Sequence, residues 1–132
     1  MPRAPLPPSL ERFLSAPRPA VVAVAGRDGQ PVSAATWYLY ERGRVILSMA
    51  RDGLRHRHLL ADPRVSLTVL ADDWYSHVSV TGLVAELRDD DELADIDRIS
   101  HLYRGESYRR RDEELVTAVA TIERWHTYGD PQ

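Results

Sequence analysis

Six stretches of the chain, residues 20–25, 32–40, 44–49, 64–70, 75–88 and 116–126, carry the alternating, β-branched or continuously apolar pattern of strands. The first two flank Asp28-Gly29, the strongest short-range hairpin signal in the chain, and Arg42-Gly43 marks a second tight turn. Residues 64–70 are largely apolar and predict a strand buried on both faces. Gly82 interrupts the long fifth stretch, where a mid-strand glycine marks a bulge or a barrel corner.

Helical spacing appears in three places. Residues 9–15 predict a short helix that buries Leu10, Phe13 and Leu14. A second runs from about residue 53 to residue 61, with Leu54, Leu59 and Leu60 facing inward, until Pro63 stops it. The third opens at Asp89-Asp90-Asp91-Glu92, repeats Leu93, Ile96, Ile99, Leu102 and Tyr103 along one face, and ends at Gly105. Ahead of them all, residues 1–8 form a Pro-rich extended arm. Strands joined by hairpins, with helices after the third and fifth, predict a mainly β single domain over residues 1–132, a small antiparallel barrel of six strands.

Composition narrows the chemistry. At 132 residues the chain is long enough for one core and close to the size at which a dimer interface adds useful buried surface. Cysteine is absent, which excludes disulfides, iron–sulfur clusters, thiolate zinc sites and a cysteine nucleophile. Every basic residue is arginine, so no lysine Schiff base forms and any phosphate is gripped by Arg, Ser, Thr or backbone. No apolar run has the length of a membrane span and the first residues lack a secretory signal's apolar stretch, so the expectation is a cytoplasmic protein with no membrane partner.

Against a net charge of -3, one basic cluster stands out. Residues 48–65 place Arg51, Arg55, Arg57 and Arg64 with His56 and His58 where the apolar strand Val45-Ile46-Leu47 gives way to a helix start. The free N–H groups of a first helical turn and the positive end of the helix dipole favour an anion, and guanidinium groups add forked, charge-assisted hydrogen bonds. Arg51 and Arg55, four residues apart, are expected to stack at the helix entrance, with Arg57 reaching a neighbouring anion or solvent.

Other constellations fit less well. His56 and His58 point to different sides of a helix and lack a third ligand, so no metal site is expected. His126, beside Trp125, is an ordinary partly buried histidine or a proton donor, and the pattern leaves both open. The acidic run 89–92 lacks a calcium loop's alternation and central glycine, and Gly105-Glu106-Ser107 lacks the second glycine and preceding strand of a nucleophile elbow. Tyr108-Arg109-Arg110-Arg111 is a solvated patch or a dock for a polyanionic tail, while a nucleic-acid surface would be broader and more basic. Trp37, Met49, Trp74 and Trp125 suit a core, or, beside an anion anchor, the stackable surfaces that a flat heterocycle needs.

In order and spacing, several segments together resemble the pyridoxamine 5'-phosphate oxidase-like, FMN-binding split barrels, and among them the subgroup that uses the deazaflavin coenzyme F420. These are Gly29 in the first turn, Ala35-Thr36-Trp37-Tyr38, the run from Arg51 through Arg55-His56-Arg57-His58-Leu59 to Asp62-Pro63-Arg64-Val65, Val78-Ser79-Val80-Thr81-Gly82, and Trp125-His126-Thr127-Tyr128-Gly129. The resemblance implies a six-stranded split barrel and a homodimer with two equivalent sites at its interface. It implies that Ser48, Met49, Ala50, Arg51, Arg55 and Arg57 hold the cofactor phosphate and ring, with Trp37 alongside. Trp74, Tyr75 and His126 are the candidates for the partner's side of the pocket. Arg55 stands where this subgroup often has lysine.

On this resemblance the implied activity is that of an F420-dependent oxidoreductase, transferring a hydride between the coenzyme and a small unsaturated substrate. The alternatives are an FMN-dependent oxidoreductase of the same family, or a non-catalytic carrier of F420, flavin or haem. Nothing in the sequence separates turnover from carriage, because such proteins need no conspicuous catalytic dyad.

Overall fold

The computed structural model describes residues 1–132. Seven strands form a single sheet: β1 (Ala20–Ala25), β2 (Pro31–Thr36), β3 (Leu39–Glu41), β4 (Arg44–Ala50), β5 (Arg64–Leu70), β6 (His77–Asp89) and β7 (Leu115–Tyr128). Three α-helices accompany it: α1 (Pro8–Ser15), α2 (Leu54–Ala61) and α3 (Ala94–Arg104). The sheet order is β2-β1-β5-β6-β7-β4-β3, antiparallel at every pairing.

That order contains the decisive feature of the fold. β2 and β3 are the two ends of the sheet, yet only Trp37 and Tyr38 separate them in sequence. The sheet therefore curls until its edges nearly meet, giving a barrel with an open seam at Trp37-Tyr38. The expected single strand over residues 32–40 is two strands for this reason. Its first half pairs with β1 as far as Ala20↔Thr36, and its second pairs with β4 from Leu39↔Ile46 onward. Across the break the backbone finds other partners: Tyr38 N donates to the Tyr103 hydroxyl at 3.3 Å. The barrel thus has seven strand segments where the pattern predicts six.

Inside the barrel, β-branched and aliphatic side chains from alternate positions meet one another: Val22 and Val24, Val45 and Leu47, Leu67 and Val69, Val78 and Val80, Ala118 and Ala120. Helix α1 plugs this interior with Leu10, Phe13 and Leu14, as expected. Helix α3 packs outside, covering Ile46 and Leu115 with Leu93, Ile96 and Ile99 in a second small core. Gly105 ends α3 in the left-handed conformation at φ 75°. Its N-terminus is tied by buried Asp90, whose carboxylate accepts from Asp95 N at 2.8 Å and Ile96 N at 2.9 Å.

Two packing expectations are corrected. Strand β5 is not buried on both faces: Leu67 and Val69 enter the core while Ser66, Thr68 and Leu70 are half-buried on the other side. In α2 only Leu59 is buried, and Leu54 and Leu60 are exposed. At about 100° per residue Leu59 stands some 140° from Leu54 and 100° from Leu60, so the three share no face.

Gly82 sits at a register shift between β6 and β7, and its α-carbon comes so close to the Thr121 carbonyl that a β-carbon would stand 1.9 Å from the oxygen. The N-terminal arm bends at residues 4–5 and gives its last residue, Pro8, to α1. It takes the edge of β7 that β4 leaves uncovered, through Trp125 N to Pro2 O at 3.0 Å and Ala4 N to Glu123 O at 2.9 Å, and buries Leu6. No helix is long and apolar enough to cross a membrane.

Candidate functional site

At the seam, the outer face of β4 is left partly open. Val45, Leu47 and Met49 point into the barrel, while Ile46, Ser48 and Ala50 face α3. A hollow of about 250 Å³ lies there, lined by Thr36, Trp37, Ser48, Met49, Ala50, Ile96, Ile99, Tyr108, Glu113 and Leu115. Four of the sequence-selected residues, Trp37, Ser48, Met49 and Ala50, are thus brought together. A larger hollow of about 680 Å³ adjoins it, and Thr36, Trp37 and Tyr108 line both.

The basic junction follows directly from β4. Gly53 N donates back to Ala50 O at 3.0 Å, turning the chain into α2. Because α2 begins at Leu54, Arg51 precedes the helix, and the expected stacking of Arg51 on Arg55 does not occur. Arg51 instead reaches Asp89 on β6 at 2.5 Å and Glu114 at 3.2 Å, and its hydrogen bond to the Asp89 carboxylate raises its already high pKa. Arg57 is exposed and has no ion-pair partner.

Arg55 differs from both. Its guanidinium is half-buried, no carboxylate pairs with it, and burial lowers its pKa from the ordinary arginine value. Charge partly removed from water without a counter-ion is unfavourable, and an arriving anion relieves it. The first-turn N–H groups of α2 add donors that no helical carbonyl accepts. Gly53, the residue before the helix, makes no side-chain cap that would compete for them.

The second arginine patch is neutralised. Arg109 pairs with Glu106 at 2.8 Å, Arg110 with Glu113 at 2.8 Å, and Arg111 with Asp97 at 2.6 Å. A free polyanion dock is therefore not what this segment presents; Arg109 and Arg110 pair within the loop, and Arg111 fastens it to α3.

Trp74, Tyr75 and His126 lie outside the seam hollow, at the far end of the β6–β7 ribbon. Asp73 turns the β5–β6 connection by accepting from Ser76 N at 2.9 Å. Trp74, at φ 53°, is pushed into solvent at 71% exposure. Tyr75 meets Tyr128, their hydroxyls 2.7 Å apart, and that hydrogen bond raises the Tyr75 pKa. His77 stacks on Tyr128 with ring centroids 5.8 Å apart, and His126 stands 6.2 Å from His77. His126 is exposed rather than partly buried.

Sequence reasoning did not select Tyr103, Tyr108 and Glu113 for the site. Tyr103 belongs to the helical repeat of α3 and reads as core. Tyr108 reads only as the start of the basic patch 108–111 and Glu113 carries no signal, and the packing of α3 against β4 brings both to the hollow.

A family model described as pyridoxamine 5'-phosphate oxidase matches residues 6–129. No curated protein matches the chain. Among solved structures, a protein named F420 reductase superposes with a TM-score of 0.83 at 22% identity, over 92% of this chain and 98% of its own. A conserved hypothetical protein of Mycobacterium tuberculosis superposes with a TM-score of 0.74 at 22% identity, over 96% and 86%. General stress protein 26 of Bacillus anthracis does so at 0.66 and 15% identity, over 93% and 95%. At these identities the likeness is one of fold.

Proposed function

The chain belongs to the pyridoxamine 5'-phosphate oxidase family, and from that premise we propose that it is an oxidoreductase working with a flavin-type cofactor, specifically the deazaflavin F420. The observation that carries this reading is the half-buried, uncompensated Arg55 guanidinium a few residues beyond the open hollow at Ser48–Ala50. An anionic tail and a flat ring in one molecule suit that pair of features. The name of one structural neighbour, F420 reductase, supports the choice of coenzyme.

In this reading Arg55 and the first-turn N–H groups of α2 bind the phosphate, with Arg57 at the rim. Ser48, Met49 and Ala50 present backbone and small side chains that let a ring lie close to β4, and Trp37 walls the hollow. Arg51 acts one step removed, fixing the β4–α2 turn through Asp89 and Glu114. The bound coenzyme supplies the hydride; the protein supplies grip, orientation and exclusion of water. A small unsaturated compound is the proposed substrate, and a second copy of the chain is the proposed partner, bringing Trp74, Tyr75 and His126 to the opposite wall with His126 as proton donor.

A second reading, FMN in the same place, is favoured by one observation. The arginines at 109–111 are spent on Glu106, Glu113 and Asp97, so a long anionic tail finds no free cationic track there. Incubation with F420 and FMN separately, then gel filtration and the absorbance spectrum of the protein peak, tests both. F420 absorbance co-eluting at the volume of a dimer is the expected result. FMN alone in the peak selects the second reading, and retention of neither overturns the proposal. Reduced F420 that binds stoichiometrically yet is never oxidised by a panel of enones and quinones selects a carrier.

A further inference from the structure

The larger hollow at the seam has a chemistry unlike that of its neighbour. Its walls are Pro17, Pro19, Ala20 and Ala35, and its platform is the indole of Trp37 stacked on the Tyr103 ring, centroids 5.1 Å apart and planes 13° from parallel. Polar side chains also reach it, but each is already committed. Thr36 Oγ1 donates to Trp37 O at 2.8 Å, Tyr103 Oη to Arg18 O at 2.7 Å, and Tyr108 Oη to Glu113 Oε1 at 3.2 Å. Arg18 donates through Nε to Phe13 O and through Nη2 to Gln132 O, both at 2.9 Å, and its guanidinium lies 3.9 Å from the Phe13 ring centroid.

We propose that this hollow of about 680 Å³ is a binding site for an uncharged, planar, conjugated ring compound. Its volume is that of a small-molecule site, its platform recognises a flat ring by stacking, and the one charged side chain at the wall, Arg18, has its guanidinium turned onto Phe13, the Gln132 carbonyl and the Asp72 carboxylate at 4.0 Å. The two prolines and the doubly bonded Tyr103 hydroxyl fix the walls beforehand, so little ordering is lost on binding. The shared wall of Thr36, Trp37 and Tyr108 sets this compound beside the hollow assigned above to the cofactor ring. In calling the compound a substrate the inference rests on the proposed function; in calling it a ligand it does not.

The test uses the full chain without cofactor and two probes of one shape, 2-naphthol and 2-naphthoate, titrated calorimetrically at neutral pH. The neutral probe is expected to bind at least tenfold more tightly than the anion. Ala35→Leu, at an exposed position of the edge strand β2, places side-chain volume in the hollow without touching the core and is expected to weaken 2-naphthol at least tenfold, with an unchanged melting temperature. Equal or tighter binding of 2-naphthoate, or unchanged 2-naphthol affinity in folded Ala35→Leu, overturns the inference. Naphthol binding by a protein that retains neither F420 nor FMN leaves this site standing and removes the proposed function; retained cofactor without naphthol binding does the reverse.

Discussion

Tyr103 lies parallel beneath Trp37 while its hydroxyl donates to Arg18 O at 2.7 Å and accepts from Tyr38 N at 3.3 Å. One side chain of α3 thus ties the approach to β1 and the β2–β3 break, both of which border the seam. Tyr103→Phe keeps the stack and removes both hydrogen bonds, leaving two part-buried backbone groups short of a partner. A loss of about 1–3 kcal/mol in urea unfolding is expected; Tyr103→Leu, which also removes the stack, is expected to cost more.

Arg55 is expected to behave as a binding residue and not as a structural one. Loss of a charge-assisted contact to phosphate costs about 1.5–3 kcal/mol, so Arg55→Ala weakens cofactor binding roughly ten- to a hundredfold in a fluorescence titration. Arg55→Lys, a point charge without the planar fork, falls between. The melting temperature of cofactor-free Arg55→Ala is expected to match or exceed that of the parent, because the variant removes an uncompensated half-buried charge. Unchanged affinity places the phosphate elsewhere.

Two glycines separate steric closeness from backbone conformation. At Gly82 a β-carbon would stand 1.9 Å from the Thr121 carbonyl oxygen, so Gly82→Ala forces β6 and β7 apart at the bulge and is expected to cost more than ~2 kcal/mol. Gly29 has φ 79° and nothing within 4 Å. Gly29→Ala therefore meets only the left-handed backbone penalty, about 1 kcal/mol. Chemical denaturation of the two variants side by side checks the order.

Tyr40 makes the fold sensitive to alkali. Burial, then donation of its hydroxyl to Glu11 Oε2 at 2.6 Å, pushes its phenol from 10.0 up to about 12. The folded state favours the protonated phenol, so this stabilisation is complete below the unfolded value of about 10 and is lost as pH rises toward 12. Burial raises Tyr38 as well, so the informative quantity is the difference between parent and Tyr40→Phe. That difference is expected to be constant at neutral pH and to shrink through the alkaline window. A flat difference places the titration in another group.

Much of the barrel was legible from local pattern. The hairpin turns at Asp28-Gly29 and Arg42-Gly43 take positive φ at both residues, which the glycines and Asp28 tolerate by type, and the helix that ends at Gly105 buries Ile96 and Ile99. Residues 32–40 misled because a run of apolar and aromatic residues continues unbroken through Trp37-Tyr38, while the break depends on β1 and β4, which pair with the two halves of that stretch. The inward reading of Leu54 and Leu60 failed because eight residues of helix present too little periodicity to define a face.

For the candidate site the division is similar. Ser48, Met49, Ala50 and Trp37 came from the resemblance to the split barrels, which implies a cofactor held by these positions. The separate fates of Arg51 and Arg55 were not legible, because Asp89 on β6 and Glu114 beside β7, which claim the first, lie far off in sequence and are brought next to β4 by strand pairing. Likewise Arg111 looks unpaired until Asp97 of α3 folds against it.

The amino-acid order alone therefore determined the element types, the turns, the bulge glycine and the residues from which an anion anchor is drawn, since each depends on neighbours within a few positions. Tertiary structure decided where the barrel stays open, which arginine remains without a counter-ion, and which aromatic rings border the hollow. Those outcomes depend on partners from distant parts of the chain, and a guanidinium's charge is free or spent only once its surroundings have assembled.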